Sequence, residues 1–483
     1  MNTLQQAQDA VQLAAQKMNQ RYRLGYHIMA PAQWINDPNG LIQYKGEYHA
    51  FYQHHPYDES WGPMHWGHVK SKDLVHWEHL PIALTPGNDY DKDGCFSGSA
   101  VDDNGQLTLI YTGHIYIDKK ADTFYQTQNI AVSQDGVNFT KVVENAVIPE
   151  PPADSSHHFR DPKVWKHENN WYMILGNSTK DMVGRVILYR STDLRQWDYI
   201  GVLAQSDGSL GFMWECPDFF ELNGKHILLF SPQGMEKQGD LYNNLFQTGY
   251  LVGDYQYDTN HFTQTSSFTE LDNGHDFYAV QTFLDEQSRR IAIGWMDMWE
   301  SNMPTKADGW CGALTLPRVL TLSEDHKLLM NPVEELKTLR NAEYPALRNQ
   351  TITTNYLVPT NEALLEIKAV FDLRNEQAVC LKIRGIREEE TVLTYDYTTK
   401  KLILDCSKSG KTEDGIRTAT LHVEHELTLQ LFIDSSSIEV FANHGLATMT
   451  SRIYPTEERL GFEVAAGANV KELTYWTLND IWK

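Results

Sequence analysis

At 483 residues, with 41% hydrophobic and 22% charged residues, the chain is long enough for two or three domains and apolar enough to give them cores. Its 64 acidic residues outnumber 41 basic ones, a formal net charge of −23 that, with no basic run to offset it, excludes nucleic acid and anionic membrane surfaces as partners. No run of about 18 apolar residues offers a membrane span.

The first 20 residues are rich in Gln and Ala and lack a basic segment followed by an apolar one, so they do not read as a secretory signal. The spacing of Leu4, Ala7, Val11, Ala14, Ala15 and Met18 predicts a short amphipathic helix instead. Cys95, Cys216, Cys311, Cys380 and Cys406 have no CxxC spacing and form neither a disulfide framework nor a zinc site. Free thiols and the missing signal together predict a cytoplasmic protein.

From about residue 31 the chain repeats itself. Polar turns open at Lys45, Asn104, Glu168, Asn223 and Glu286, at separations of 59, 64, 55 and 63 residues. Each is followed by an apolar strand-like run, such as Tyr48–Tyr52, Leu107–Tyr111 and Trp171–Leu175. A second echo, Ser71-Lys72-Asp73-Leu74, recurs at Ser191-Thr192-Asp193-Leu194 and more weakly at Ser133-Gln134-Asp135-Gly136. Five such units of about four short strands describe a five-bladed β-propeller over residues 31–335. An ordinary sandwich predicts frequent turns but no super-period of this length.

Past the propeller the Gly-Trp-Asp-Pro motifs stop. Residues 336–350 read as a linker, and 351–483 as alternating strands of an antiparallel β-sandwich. The expected fold is therefore all-β, a propeller followed by a C-terminal sandwich, with residues 1–30 as a helical extension. No catalytic constellation occurs in the sandwich. Its expected role is support, and it is the candidate surface for a homo-oligomer.

Three acids occupy similar places in three repeats, about eight residues before the turn: Asp37 in Trp34-Ile35-Asn36-Asp37-Pro38-Asn39-Gly40, Asp161 in Phe159-Arg160-Asp161-Pro162-Lys163, and Glu215 in Trp214-Glu215-Cys216-Pro217-Asp218. Radial units would bring them together at the centre. Singly, each has a plain structural reading as a turn former or a surface carboxylate; their shared phase is what argues for a site. Converging carboxylates are what glycoside cleavage needs. Asn36 beside Asp37 is a donor that favours the ionised form, which suits a nucleophile. Phe212, Met213 and Trp214 predict an apolar setting for Glu215, which suits a general acid. Arg160 and Lys163 should keep Asp161 charged, as a stabiliser of a cationic transition state. Cys216, next along the strand, should point to the opposite face and pack around Glu215.

Gln53, Trp61, Phe96, Ser97, Tyr278 and Trp295 add the aromatic and hydrogen-bonding groups that sugars require. His54, His55, His65, His68, His76 and His79 cluster in sequence, but without HExxH or a known ligand spacing, so no metal and no cofactor is expected.

With Phe96-Ser97-Gly98-Ser99 added, these motifs resemble glycoside hydrolase family 32, the invertases and fructosidases, over essentially the whole chain. Leu24-Gly25-Tyr26-His27 and Ser60-Trp61-Gly62-Pro63-Met64-His65-Trp66 resemble its intracellular bacterial branch. The resemblance implies a retaining β-fructofuranosidase, with Asp37 as nucleophile, Glu215 as acid/base and Asp161 as stabiliser. Asn36, Gln53, Trp61, Phe96, Ser97 and Arg160 would line the fructose site. It implies sucrose 6-phosphate as substrate, with unphosphorylated sucrose or short fructans as the alternative. For a phosphate, Lys306, Arg318 and Lys180 are the nominated cations. The competing class is a carbohydrate-binding propeller without catalysis, which loss of one acid would mark; all three are present.

Overall fold

A computed structural model describes residues 3–385, 388–410, 415–456 and 459–483. Up to residue 332 it holds five antiparallel sheets in succession. Their opening strands are Gln33–Tyr44, Gly94–Asp103, Ser155–His167, Met213–Leu222 and Tyr278–Leu284. Each opening strand packs against that of the next sheet, and the fifth returns to the first, so the sheets close into a ring. The chain also latches the ring: Gln33 and Trp34 pair in parallel with Trp310 and Cys311.

The polar turns are the hairpins that follow these opening strands. Lys45-Gly46, Asn104-Gly105 and Asn223-Gly224 all have positive φ at both positions, the two-residue turn whose twist matches its flanking strands. The second echo is a loop of recurring shape between the third and fourth strands of a sheet. In it one Asp oxygen accepts two successive backbone N–H groups: Asp73 from Val75 and His76, Asp135 from Val137 and Asn138, Asp193 from Arg195 and Gln196.

Each opening strand carries a β-bulge near its middle. Asn36-Asp37, Asp161-Pro162, Cys216-Pro217 and Ala279-Val280 each oppose a single residue of the neighbouring strand, and Ser97 is an extra residue between Phe96 and Gly98. Asp161, Cys216 and Ala279 take φ of 63°, 47° and 53°, unusual for residues with a Cβ. A bulge re-aims side chains, so neighbours in sequence can serve the same cavity. This accounts for the phase of the acids: Asp161 is equivalent to Cys216 and Ala279, while Glu215 is equivalent to Arg160 and Tyr278.

The sandwich consists of two six-stranded sheets. Strands such as Glu390–Asp396 alternate buried and half-buried residues, as one packed face requires. The expected linker is largely absent. After a 3-10 helix, Glu334–Leu339, the strand Arg340–Thr351 pairs with Asn469–Leu478 at the edge of one sheet. Alternation is weak there because an edge strand buries little: Leu347 is the one buried residue in it.

The helix Leu4–Ala15 starts with a capping box between Thr3 and Gln6 and buries Ala7 and Val11 against Ile82 of the first sheet. The segment after it is wedged between the domains. Tyr26, Ile28 and Ala30 share one buried cluster with Ile291 and Leu316 of the propeller and Phe432 and Phe441 of the sandwich. His27 bridges Asp434 at 2.7 Å and Glu439 at 2.8 Å. Burial opposes its charge, but the two carboxylates outweigh it and raise its pKa to about 9. Beside it, Arg318 is 1% exposed and joins Asp272 at 2.9 Å to Glu439 at 2.6 Å. Arg318 is thus a buried tie between domains and not a phosphate ligand. Among the described residues, no helix is long and apolar enough to cross a membrane.

Candidate active site

The bulges of the first four sheets converge on a cavity of about 280 Å³. It is lined by Asn36, Asp37, Gln53, Trp61, Phe96, Ser97, Arg160, Asp161 and Glu215, nine of the eleven residues expected from sequence. A groove of about 490 Å³ under the N-terminal helix is larger, but its charged residues, Lys17, Glu59, Lys306 and Asp308, include none of the three acids. Lys306 lies there, its ammonium 5.3 Å from the Trp34 ring. Lys180, in an exposed turn, does not line the acid-lined cavity.

Asp37 accepts from Ser97 Oγ at 2.6 Å and Asn36 Nδ2 at 3.0 Å, with the Cys216 thiol 3.5 Å away. Asn36 is oriented in turn by the Trp34 indole N–H, 2.7 Å from its Oδ1. Burial, then the charge of Glu215, push the Asp37 pKa up, while these three donors pull it back.

Asp161 sits in the next bulge but one. Its N–H donates to Thr112 Oγ1 at 3.0 Å, and its Oδ2 accepts the Cys216 N–H at 2.8 Å. The expectation that flanking cations keep it readily ionised does not hold. Lys163 points elsewhere, 2.8 Å from Asp218 and donating to the Thr282 carbonyl. Burial is the largest influence on Asp161; Arg160 opposes it, Glu215 and Asp37 add to it, and the pKa rises to about 7.

Glu215 lies in a polar setting rather than the apolar one expected. Its Oε1 accepts Arg160 Nε at 2.9 Å and Nη2 at 2.7 Å; its Oε2 accepts Gln233 Nε2 at 2.9 Å and Tyr278 OH at 2.6 Å. Phe212, Met213 and Trp214 precede it in sequence but do not bond its carboxylate. Trp214 turns away to stack on Phe230 at 4.0 Å. Cys216 also departs from expectation. Its left-handed backbone brings the thiol to within 3.5 Å of Asp37 Oδ2, not away from the acids.

Two of the aromatic residues do not reach the cavity. Tyr278, 1% exposed, acts from behind through its hydroxyl on Glu215. Trp295 is fully buried against Trp34 and Trp299, at centroid distances of 5.9 and 5.0 Å. Trp299, which the sequence reading missed, takes the place in the lining. Also missed were His114, Tyr116, Asp122, Phe124, Gln126 and His158. Most come from the hairpin of Gln106–Asp118 and Thr123–Ser133, longer than its counterparts. The alternation His114, Tyr116 and Phe124, Gln126 was the available signal. Trp61 and Phe96 meet edge to face at 5.9 Å, and Phe96 stacks on His114 at 4.2 Å.

The histidines of the first sheet serve separate bonds: His49 to His68, His54 to the Trp34 carbonyl, His65 to the Pro63 carbonyl. Among the described residues, no group of three or more His, Cys, Asp or Glu is placed to hold a metal ion. What the cavity offers is three carboxylates in unlike surroundings, one of them gripped by an arginine, walled by aromatic rings.

Comparison with known proteins agrees with this chemistry. Residues 27–332 match the glycosyl hydrolases family 32 N-terminal domain, and residues 335–477 match the family 32 C-terminal domain. A sucrose-6-phosphate hydrolase of Escherichia coli is 45% identical over 98% of each chain. A raffinose invertase of Escherichia coli is 43% identical, again over 98% of each. The structure of a Bombyx mori family 32 β-fructofuranosidase superimposes with a TM-score of 0.88 at 38% identity, covering 99% of this chain and 98% of that one.

Proposed function

The chain belongs to glycosyl hydrolases family 32, and on that premise we propose that it is a retaining β-fructofuranosidase that hydrolyses sucrose 6-phosphate, and sucrose, releasing fructose and glucose 6-phosphate or glucose. The observation that carries the assignment of roles is the unlike bonding of the acids. Asp37 is held by short side chains that leave it facing the cavity. Glu215 is fixed by Arg160, Gln233 and Tyr278, as a group that must deliver a proton to one place needs to be.

Glu215 protonates the glycosidic oxygen while Asp37 attacks the anomeric carbon of the fructosyl ring. The bond to the leaving sugar breaks and a covalent fructosyl-enzyme forms. Glu215, now a base, takes a proton from water, whose oxygen displaces Asp37. Tyr278 can follow this cycle. Its hydroxyl is 2.6 Å from Glu215 Oε2 and 3.4 Å from the Ser231 carbonyl, so it can donate to either as Glu215 gains or loses its proton. Asp161 accepts from sugar hydroxyls and stabilises the oxocarbenium-like charge of the fructosyl ring. No cofactor enters these steps. The free thiols of Cys95, Cys216, Cys311 and Cys380 support a reducing compartment, the cytoplasm.

A second reading, unphosphorylated sucrose or short fructans as the main substrate, is favoured by one observation. Among the described residues, the cavity is lined by Asp37, Asp122, Asp161 and Glu215 against the single cation Arg160, which is already engaged by Glu215. Such a field opposes a phosphate. Measuring kcat/KM for sucrose 6-phosphate and for sucrose decides between them. NMR of the freshly released fructose tests retention: α-fructose as first product would sink the retaining mechanism.

A further inference from the structure

The steps above leave one wall of the cavity unused, where His114, Phe124 and His158 stand beside Arg160. His158 Nδ1 lies 2.7 Å from Arg160 Nη1. A guanidinium nitrogen can only donate, so Nδ1 accepts. Burial, then the Arg160 charge, hold the His158 pKa down to about 2, so the ring stays neutral and its one proton is on Nε2. Among the described residues this Nε2–H has no hydrogen-bond partner.

His114 repeats the arrangement. Gln126 Oε1 accepts the Phe159 N–H at 2.9 Å, which turns the amide nitrogen to His114 Nδ1 at 3.4 Å. That leaves a proton on His114 Nε2, which is buried and unpartnered. The wall therefore presents two imidazoles locked in the same tautomer by different partners. Phe124 lies between them, its ring centroid 4.8 Å from His114 and 5.7 Å from His158.

Glu215 works on the glycosidic oxygen, so the leaving sugar sits on its side of the cavity. Arg160 continues from Glu215 to His158. We propose that His158 is a specificity-determining residue, donating its Nε2–H to a hydroxyl of the leaving hexosyl group while its Nδ1 positions Arg160 against Glu215. Phe124 supplies an apolar ring surface for the same sugar. The inference rests on the β-fructosidase reading. It adds a link between that reading's acid and the recognition of what departs.

The test separates the two nitrogens. In His158→Asn the amide oxygen stands where Nδ1 was and can still accept from Arg160, but the Nε2 donor is gone. His158→Leu removes both. The substrates are sucrose and methyl β-D-fructofuranoside, whose leaving group has no hydroxyls for His158 to meet. With His158→Asn, kcat/KM on sucrose should fall about tenfold and on the methyl fructoside change by less than about twofold. His158→Leu should lower both, because Arg160 loses its support. An equal fall on both substrates in His158→Asn, or no fall on either, overturns the proposal. Melting temperatures accompany each assay, and if His158→Leu does not fold, His158→Asn alone decides. In the wild type, ¹⁵N chemical shifts should show the Nε2–H form of His158 from pH 5 to 8; an Nδ1–H form overturns it. A wild type that cleaves neither substrate would instead sink the fructosidase reading itself.

Discussion

Arg160 places two donors, Nε and Nη2, on a single oxygen of Glu215, at 2.9 and 2.7 Å. The two residues hold equivalent positions in adjacent sheets, each just before its bulge. The ring of sheets thus converts a repeat in sequence into a bond across the site. Tyr278, the equivalent residue of the fifth sheet, reaches Glu215 from the other side. The equivalence makes Glu215 the centre of a row, and leaves Asp37 with lighter constraints.

That contrast predicts how the acids fail. Asp37→Asn should lower kcat by roughly 10³-fold or more, because the covalent step loses its nucleophile. The isosteric amide can keep the Ser97 contact, so the melting temperature at pH 7 should not drop. A variant keeping a tenth of wild-type kcat would refute the role. Glu215→Gln should lose far less on substrates with good leaving groups, which need little protonation. Equal loss on good and poor leaving groups would count against Glu215 as the acid.

Much of this was legible in the sequence, for identifiable reasons. Hairpin turns such as Asn104-Gly105 and Asn223-Gly224 are marked by local chemistry, and their spacing exposed the repeat. The acids stood out because Trp, Asn, Arg and Pro surround them. What was hidden depends on contacts between distant residues. Neighbours in sequence suggested an apolar Glu215, but its partners Arg160 and Tyr278 lie 55 and 63 residues away. Flanking charge suggested a stabilised Asp161 anion, but Lys163 is drawn off by Asp218. Trp295 and Trp299 are alike in sequence, and only packing decides which one faces the cavity. Bulges are invisible to a strict two-residue alternation, so Cys216 was assigned to the wrong face.

The buried Asp161 carboxyl should leave a mark on stability. Its pKa in the fold is raised to about 7, above the unfolded value of about 3.9. The folded state therefore holds this proton more tightly between those values. The stability it confers is complete below about pH 4 and is lost as pH rises through 7. Asp161→Asn, which cannot ionise, should raise the melting temperature by roughly 2–4 °C at pH 8 relative to its effect at pH 4. A constant difference between variant and wild type across that range would contradict the assignment. Activity should be lost in either case.

The junction between domains predicts a separate effect. Arg318, at 1% exposed, faces Asp272 and Glu439, and replacing it by Met leaves the buried Asp272 without its cation and Glu439 with His27 alone. Removing one partner of such a group costs about 3–5 kcal/mol. His27 carries the pH dependence here. Its raised pKa of about 9 means its contribution is complete below about pH 6.5 and is lost as pH rises through 9. Thermal unfolding of His27→Gln should therefore be lower than wild type at pH 6 and converge toward it near pH 9.5. A gap that persists at high pH would place the effect in packing and not in the charge. Neither residue touches the cavity, so kcat of the folded fraction should be retained.

Cys216 offers the finest test of the site's electrostatics. Its N–H bonds Asp161 and its thiol lies 3.5 Å from Asp37 Oδ2, so one residue of the fourth sheet steadies two acids from other sheets. The backbone contact survives any side-chain change that keeps the bulge. The thiol contact does not. Donation to the ionised form lowers the Asp37 pKa, against the burial and the Glu215 charge that raise it. A hydroxyl is a stronger donor than a thiol, so Cys216→Ser should favour ionised Asp37 further, and Cys216→Ala should disfavour it. The acid limb of kcat/KM against pH reports the group that must be ionised in the free enzyme. It should move to lower pH in the Ser variant and to higher pH in the Ala variant. The alkaline limb should stay in place. Shifts of the same sign in both variants, or no shift in either, would reduce Cys216 to a packing residue, the plain role of a small buried side chain.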